Sequence, residues 1–369
     1  EDQPFAVIEH KLAISFACIP PLQKYAFTTF LSLLPITTKL NEASKEQITL
    51  LLLLTRTLLL VNADCYTALN ARKKVIQQGL LKEEDEIKFL NLLFTKHTKS
   101  SEAWSHRRWL LQRILSKSTQ DDVISVELKV CKRVAEIYPK NYHAWTHRLW
   151  VLSFVDKEKL LQDLQEMEDW TKRNVSDHCG FHHREFILLQ LLKLHNIPTT
   201  ISHTIFNTPD AEQQIADLVS QCQALNINSD QLDWLLLLWI KEFYFVDRLI
   251  LLYPGHETMW LHKRFLIFYW MVLSLIMKKL SSTFAWSDEY SREISEDFYD
   301  DPKMMHTLTM DHKPFLQSEL AFAEHCIQDD GVSHYEAQKK FAALYQYWTM
   351  LTAFYCLKRS DEEHPTIPK

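Results

Sequence analysis

A short signature, Trp-x-His-Arg, recurs along the chain and limits its fold more than any other feature. It stands in full as Trp104-Ser-His106-Arg107 and Trp145-Thr-His147-Arg148, and as Trp260-Leu-His262-Lys263 with lysine replacing arginine. Val175–Leu188 keeps the pattern with Phe181 in the aromatic place, followed by His183 and Arg184. Asn62–Ile76 is the most degenerate copy, with Leu69 as anchor and Arg72 in register. The anchors lie 35, 41, 36 and 79 residues apart (69 to 104, 104 to 145, 145 to 181, 181 to 260). A period of this length is the mark of stacked helical hairpins, each unit burying an apolar face against its neighbours.

Counting from the anchor, i+6 and i+7 are aliphatic in all five copies, from Val75 and Ile76 to Leu266 and Ile267. At roughly 100° per residue, positions i, i+3, i+6 and i+7 share one face of a helix. The basic residue at i+3 is therefore expected to point inward beside the ring. There its guanidinium needs loop carbonyls or a carboxylate of the next hairpin. At i−4 stand Cys65, Ser100, Asn141, Asp177 and His256, of which three are good helix N-caps. Each repeat thus reads as helix, short turn, capped helix.

The order along the chain follows. Residues 1–43 form a leading segment and a capping helix, broken at Pro20 and Pro21. Residues 44–280 carry the hairpins, opening on a capping box at Ser44 and Gln47 and with a helical stop at Gly79. Lys157–Arg173 is expected as one helix. Turn signals in 196–231 mark an insertion that stretches the last gap. Residues 281–369 hold an acidic stretch over Trp286–Pro302, closing helices at Lys313–Gln328 and Ser333–Leu357, and a polar tail.

Several functions are excluded or disfavoured by composition. With only four glycines the chain has no GxGxxG or Walker-type phosphate loop and is a poor candidate for a hairpin-rich β fold. A net charge of −6 argues against a broad nucleic-acid surface. The seven scattered cysteines include no CxxC pair, which fits reduced thiols and a cytoplasmic address. The longest apolar run, Leu266–Met277, is too short for a transmembrane helix. The chain opens at Glu1 without Met, so it is expected to be trimmed, and a targeting segment before it stays open. His178, Cys179, His182 and His183 resemble metal ligands, but His183 occupies the repeat position of His106, His147 and His262, so no metal is assigned.

The five-fold Trp-x-x-Arg hairpin, and Pro-Lys-Asn-Tyr-His-Ala-Trp at 139–145 in particular, resembles the repeats of the protein prenyltransferase α-subunit family over roughly Asn62 to Ile267. The resemblance implies an all-α, right-handed superhelix of hairpin repeats that embraces a catalytic β-subunit. It implies pairing with the β-subunit of Rab geranylgeranyltransferase, as a third type of protein geranylgeranyltransferase. Acceptors would be proteins with C-terminal cysteines, among them a farnesylated Golgi SNARE and an F-box protein. Zinc and geranylgeranyl diphosphate would lie on the β-subunit, with no cofactor on this chain and no activity without that partner. It assigns Lys140 and Tyr142 to the isoprenoid diphosphate; His143 is a weaker candidate for contact with the acceptor peptide. Two other readings stay open: a non-catalytic scaffold binding peptides, and the α-subunit of farnesyltransferase or type I geranylgeranyltransferase.

The anchors carry a first test. Trp145→Ala is expected to cost about 3–5 kcal/mol, as other large aromatic truncations do. The expected result is loss of folding, seen by circular dichroism; a well-folded but inactive protein would contradict a packing role.

Overall fold

The structure is a computed structural model describing residues 5–9, 11–116, 120–199, 217, 221, 229–280, 312–328 and 335–357. Apart from one short hairpin and three 3-10 segments, the elements formed by these residues are α-helices, an all-α fold of helical repeats. The chain falls into two compact units, 1–155 and 156–369.

In the first unit, β1 (Phe5–Ile8) pairs antiparallel with β2 (Lys11–Ile14), Phe5 opposite Ile14. The hairpin was not foreseen in the leading segment; Glu9, at φ 50°, turns the chain between its strands. The double proline then opens α1 (Ile19–Leu33), where a missing N–H sacrifices no helical bond. α2 (Lys45–Val61) begins on the expected capping box: Gln47 N donates to Ser44 Oγ at 3.3 Å and Ser44 N to Gln47 Oε1 at 2.9 Å. It pairs with α3 (Tyr66–Gln77). Gly79, at φ 72°, ends that helix in a left-handed turn, with Leu80 N returning to Val75 O at 3.1 Å. Two further hairpins follow: α4 (Glu83–Leu93) with α5 (Ser101–Leu115), and α6 (Gln120–Ile137) with α7 (Tyr142–Leu152). The second helices lie side by side, α3 against α5 and α5 against α7.

The second unit opens with α8 (Lys157–Glu166) and α9 (Glu168–Arg173), where one helix was expected. The break at Met167 accompanies an inward-facing Trp170, which packs where a Cβ on Gly180 would stand 2.8 Å from its ring. α10 (His178–Leu194), α11 (Ser229–Leu252) and α12 (Glu257–Leu280) complete the repeats. α13 (His312–Gln328) and α14 (Tyr335–Leu357) are the closing hairpin. Most of the 196–231 insertion and the acidic stretch at 286–302 lie outside the described residues. α10 packs directly on α12, so the 79-residue gap is a single step of the stack.

The anchors Leu69, Trp104, Trp145, Phe181 and Trp260 are at most 5% exposed, and the i+3 cations at most 3%. The inward turn of the basic residue is thus confirmed, and its partners form a repeating pattern. Glu86 accepts from Arg72 Nε at 2.9 Å and from His106 Nε2 at 2.9 Å. Glu127 accepts from Arg107 at 2.6 and 2.7 Å and from His147 at 2.7 Å. Glu242 accepts from Arg184 at 2.5 and 2.7 Å and from His262 at 3.0 Å. In each case a carboxylate on the first helix of a hairpin binds the arginine of the preceding repeat and the histidine of its own. Asp163 takes the same place beneath His183, at 2.7 Å. The histidine and its acid are always 20 residues apart.

The final cation departs from the pattern. Lys263 lies between Asp247 at 2.5 Å and Glu319 of the closing hairpin at 2.6 Å, and Tyr345 donates to Glu319 at 2.6 Å. The closing hairpin therefore supplies the carboxylate that a following repeat would have supplied.

Removing one member of such a cluster leaves the others buried and uncompensated. Glu127→Ala, which strands Arg107 and His147, is expected to cost about 3–5 kcal/mol. A lowered urea midpoint followed by far-UV circular dichroism measures it; an unchanged midpoint would show that other acceptors suffice.

Candidate functional site

Tyr138 to Asn141 joins α6 to α7, whose first turn carries Tyr142 and His143, and a single asparagine fixes the conformation of the turn. Asn141 is fully buried: its Nδ2 donates to Thr98 O at 2.8 Å, and its Oδ1 caps α7 by accepting from Ala144 N at 3.2 Å. Thr98 O also accepts from Trp104 Nε1 at 3.0 Å. The turn is thereby tied to the loop of the preceding repeat. Lys140, just before it, adopts φ 61°, a left-handed conformation unusual for a residue with a Cβ. Its side chain is exposed.

Tyr142 is 68% exposed, so packing does not explain it. His143 is half-buried and meets the Tyr142 ring edge-on at 5.7 Å. Lys99 adds a second cation to the same turn, its Nζ 3.9 Å from the Tyr138 ring centroid. The three sequence candidates thus sit together at the N-terminal end of α7, where backbone N–H groups and the helix dipole favour an anion. The other ten, the anchors and their cations, are structural: all are in the core.

The histidine-rich stretch at 178–183 does not converge. His178 and His182 are exposed, whereas His183 turns inward onto Asp163. Among the described residues, Glu127, Cys131 and His147 are the group whose ligand atoms lie within 4.8 Å of one another. Both oxygens of Glu127 already hold Arg107, so a dication there would press against a guanidinium. These residues do not fit a resident zinc.

The carboxylates of the ladder escaped the sequence reading, although a signal was present. Each stands 18 residues before its anchor (86 to 104, 127 to 145, 163 to 181, 242 to 260). In the degenerate first repeat the same position is Leu51 and the histidine position is Ala71, so acid and base are missing together.

Electrostatics follow the geometry. Burial alone would raise the pKa of Glu86, Glu127 and Glu242, but their arginine and histidine partners hold each down to about 2. Burial lowers His106 and His147 despite their carboxylates. His262 is also buried, yet its bonds to Glu185 and Glu242 prevail and raise it.

Three segments, 83–114, 124–155 and 239–270, match the protein prenyltransferase alpha subunit repeat. Each matched segment contains one full Trp-x-His-Arg/Lys motif. The chain is similar to protein prenyltransferase alpha subunit repeat-containing protein 1 of Homo sapiens, 30% identical over 72% of this chain and 69% of that protein. Its Danio rerio counterpart is 33% identical over 72% of this chain and 64% of its own length. The 1-A form of Xenopus laevis is 30% identical over 71% and 63%. The chain thus spans about two thirds of the relatives it matches, and somewhat less of the last two.

A pH dependence follows from the histidines. For His106 and His147 the folded pKa lies below the unfolded 6.5, so stability is full above 6.5 and lost as pH falls below it. His262, raised, contributes stability that is full below 6.5 and lost as pH rises through its folded value. Hydrogen exchange between pH 8 and about 5 should therefore show, on acidification, weaker relative protection in α5 and α7 and stronger protection in α12. Parallel trends in both would contradict the assignment.

Proposed function

The chain belongs to the protein prenyltransferase alpha subunit repeat-containing family, and on that premise we propose that it is the α-like subunit of a heterodimeric protein geranylgeranyltransferase. Its partner is the β-subunit of Rab geranylgeranyltransferase, and it acts in the cytoplasm. The observation that carries this reading is the presentation of Lys140 and Tyr142 on either side of the buried Asn141. A lysine held in a left-handed turn and a tyrosine 68% exposed contribute little to this chain's own core.

The reaction joins the sulfur of an acceptor cysteine to C1 of geranylgeranyl diphosphate. The C1–O bond breaks, and diphosphate departs with the bonding electrons. Zinc on the β-subunit would supply the cysteine as its thiolate. Acceptors are proteins ending in cysteine, such as a farnesylated SNARE or an F-box protein. Within this chain, the Lys140 ammonium sits where it can offset charge growing on the departing oxygens, aided by the N-terminal end of α7. Tyr142 adds a hydroxyl donor to the same oxygens, and His143 faces the acceptor peptide.

Co-purification with candidate β-subunits, followed by a mass-shift assay on cysteine-terminated acceptors, tests the reading. Lys140→Ala should lower turnover by about tenfold or more, as loss of a donor to developing charge does, while the heterodimer still forms. Equal turnover removes Lys140 from the mechanism; recovery with no β-subunit removes the heterodimer.

A further inference from the structure

The outer faces of α3, α5 and α7 carry a cation–aromatic pattern. Its rings rest on ladder histidines, Trp109 on His106 at 5.6 Å and Trp150 on His147 at 5.3 Å, but its cations Lys73 and Arg108 make no ladder bond. Lys73 of α3 stands over Trp109 of α5, its Nζ 5.7 Å from the ring centroid. Arg108 of α5 stands over Trp150 of α7 in the same way, at 5.1 Å. In both pairs the residue four after one anchor covers the residue five after the next. Arg113 lies over Trp109 as well, at 5.2 Å.

Lys73, Arg108, Trp109 and Trp150 are all half-buried. Among the described residues, Arg108 and Lys73 have no ion pair and no hydrogen bond. Both are half-exposed, so their donors remain within reach of an acceptor from outside. Acidic groups are scarce nearby: α3 and α7 contain none and α5 contains only Glu102. α4 opens on Glu83, Glu84, Asp85 and Glu86, and Glu83 pairs with Arg113 at 3.1 Å, so Lys73 and Arg108 are the strip's unpaired cations among the described residues. Within a chain of net charge −6, α3, α5 and α7 thus present a basic, aromatic face.

We propose that this strip is a docking surface for an acidic peptide segment of a partner protein, its carboxylates binding Arg108 and Lys73 and its apolar side chains packing on Trp109 and Trp150. Carboxylate suits the guanidinium fork. A nucleic acid suits the strip less, because a chain of net charge −6 repels a phosphate backbone outside so small a basic patch. Three adjacent helices at 8–10 Å spacing span about 20 Å, the reach of an extended peptide of roughly six to eight residues. The inference rests on the strip alone, so a chain that pairs with no β-subunit still tests it.

The probe is a fluorescein-labelled peptide of about ten residues alternating glutamate with phenylalanine, long enough to cross the strip. Its glutamine counterpart and an oligothymidine serve as comparisons, with anisotropy measured on the full chain. The glutamate peptide should bind most tightly, and added salt should weaken it. Lys73→Gln with Arg108→Gln should weaken binding about tenfold or more through the lost charge-assisted bonds. The charge-matched Lys172→Gln with Arg173→Gln should leave binding unchanged. Arg108→Lys, mild enough to preserve the fold, should weaken it by a smaller factor. No binding, equal binding of the glutamine peptide, preference for the oligonucleotide, or equal binding by the strip variants would each overturn the proposal.

Discussion

Burying a cation in every repeat, arginine in four and lysine in the last, is the constraint from which the rest follows. A guanidinium removed from water is tolerated only when its donors meet acceptors in good geometry. Here the acceptor is a carboxylate on the next hairpin, and that carboxylate has lone pairs to spare. The histidine of its own repeat takes one of them, as at Glu86, Glu127 and Glu242. One acid therefore ties together two second helices and the first helix on which it stands. Such a cluster adds little net stability compared with an apolar core, but it penalises every misaligned stacking. Register between neighbours is what it fixes, and register is what a quasi-one-dimensional stack most lacks.

The same constraint decides where function can sit. Positions i, i+2, i+3, i+6 and i+7 of each second helix are committed to the interior. In α3, α5 and α7 the residues three and two before the anchor, and four and five after it, are not buried and remain for other uses. On α7 these are Tyr142, His143, Leu149 and Trp150, while Asn141 is spent holding the turn. Lys140 and Tyr142 are neighbours of a buried residue, not of each other in sequence. Their shared exposure is a consequence of the cap between them.

Much of this was legible in the residues because it is local. The anchor period, the inward basic residue, the caps at Ser100, Asn141 and Asp177, and the stop at Gly79 each depend on one helix or one turn. The shared carboxylates were not read, because their offset of 18 residues crosses a turn and obeys no helical period. The break at Met167 escaped for a similar reason: it accompanies packing between Trp170 and Gly180, with nothing in the local pattern to announce it. The long gap before Trp260 looked like nearly two periods, yet Arg184 reaches Glu242 directly. Spacing counts residues; the ladder counts contacts. Of the candidate site, the clustering of Lys140, Tyr142 and His143 was readable from their adjacency, whereas the tertiary bond from Asn141 to Thr98 was not.

Net charge conceals the consequence of the ladder for the surface. Arg72, Arg107 and Arg184 each draw a carboxylate into the interior with them, so these pairs leave the surface balance untouched. The outward cations are then unanswered on their own helices: among the described residues Arg108 and Lys73 lie over indole rings without an ion pair, their charge pressing on His147 and His106. Had Glu127 faced solvent, Arg107 would have lost its partner and the stack its register. A neutral outer face on α5 would therefore require new acids at positions the repeat leaves free, not the reuse of those it has. The charges of the strip can therefore be neutralised with every ladder bond in place, although its rings rest on His106 and His147 and belong to the packing.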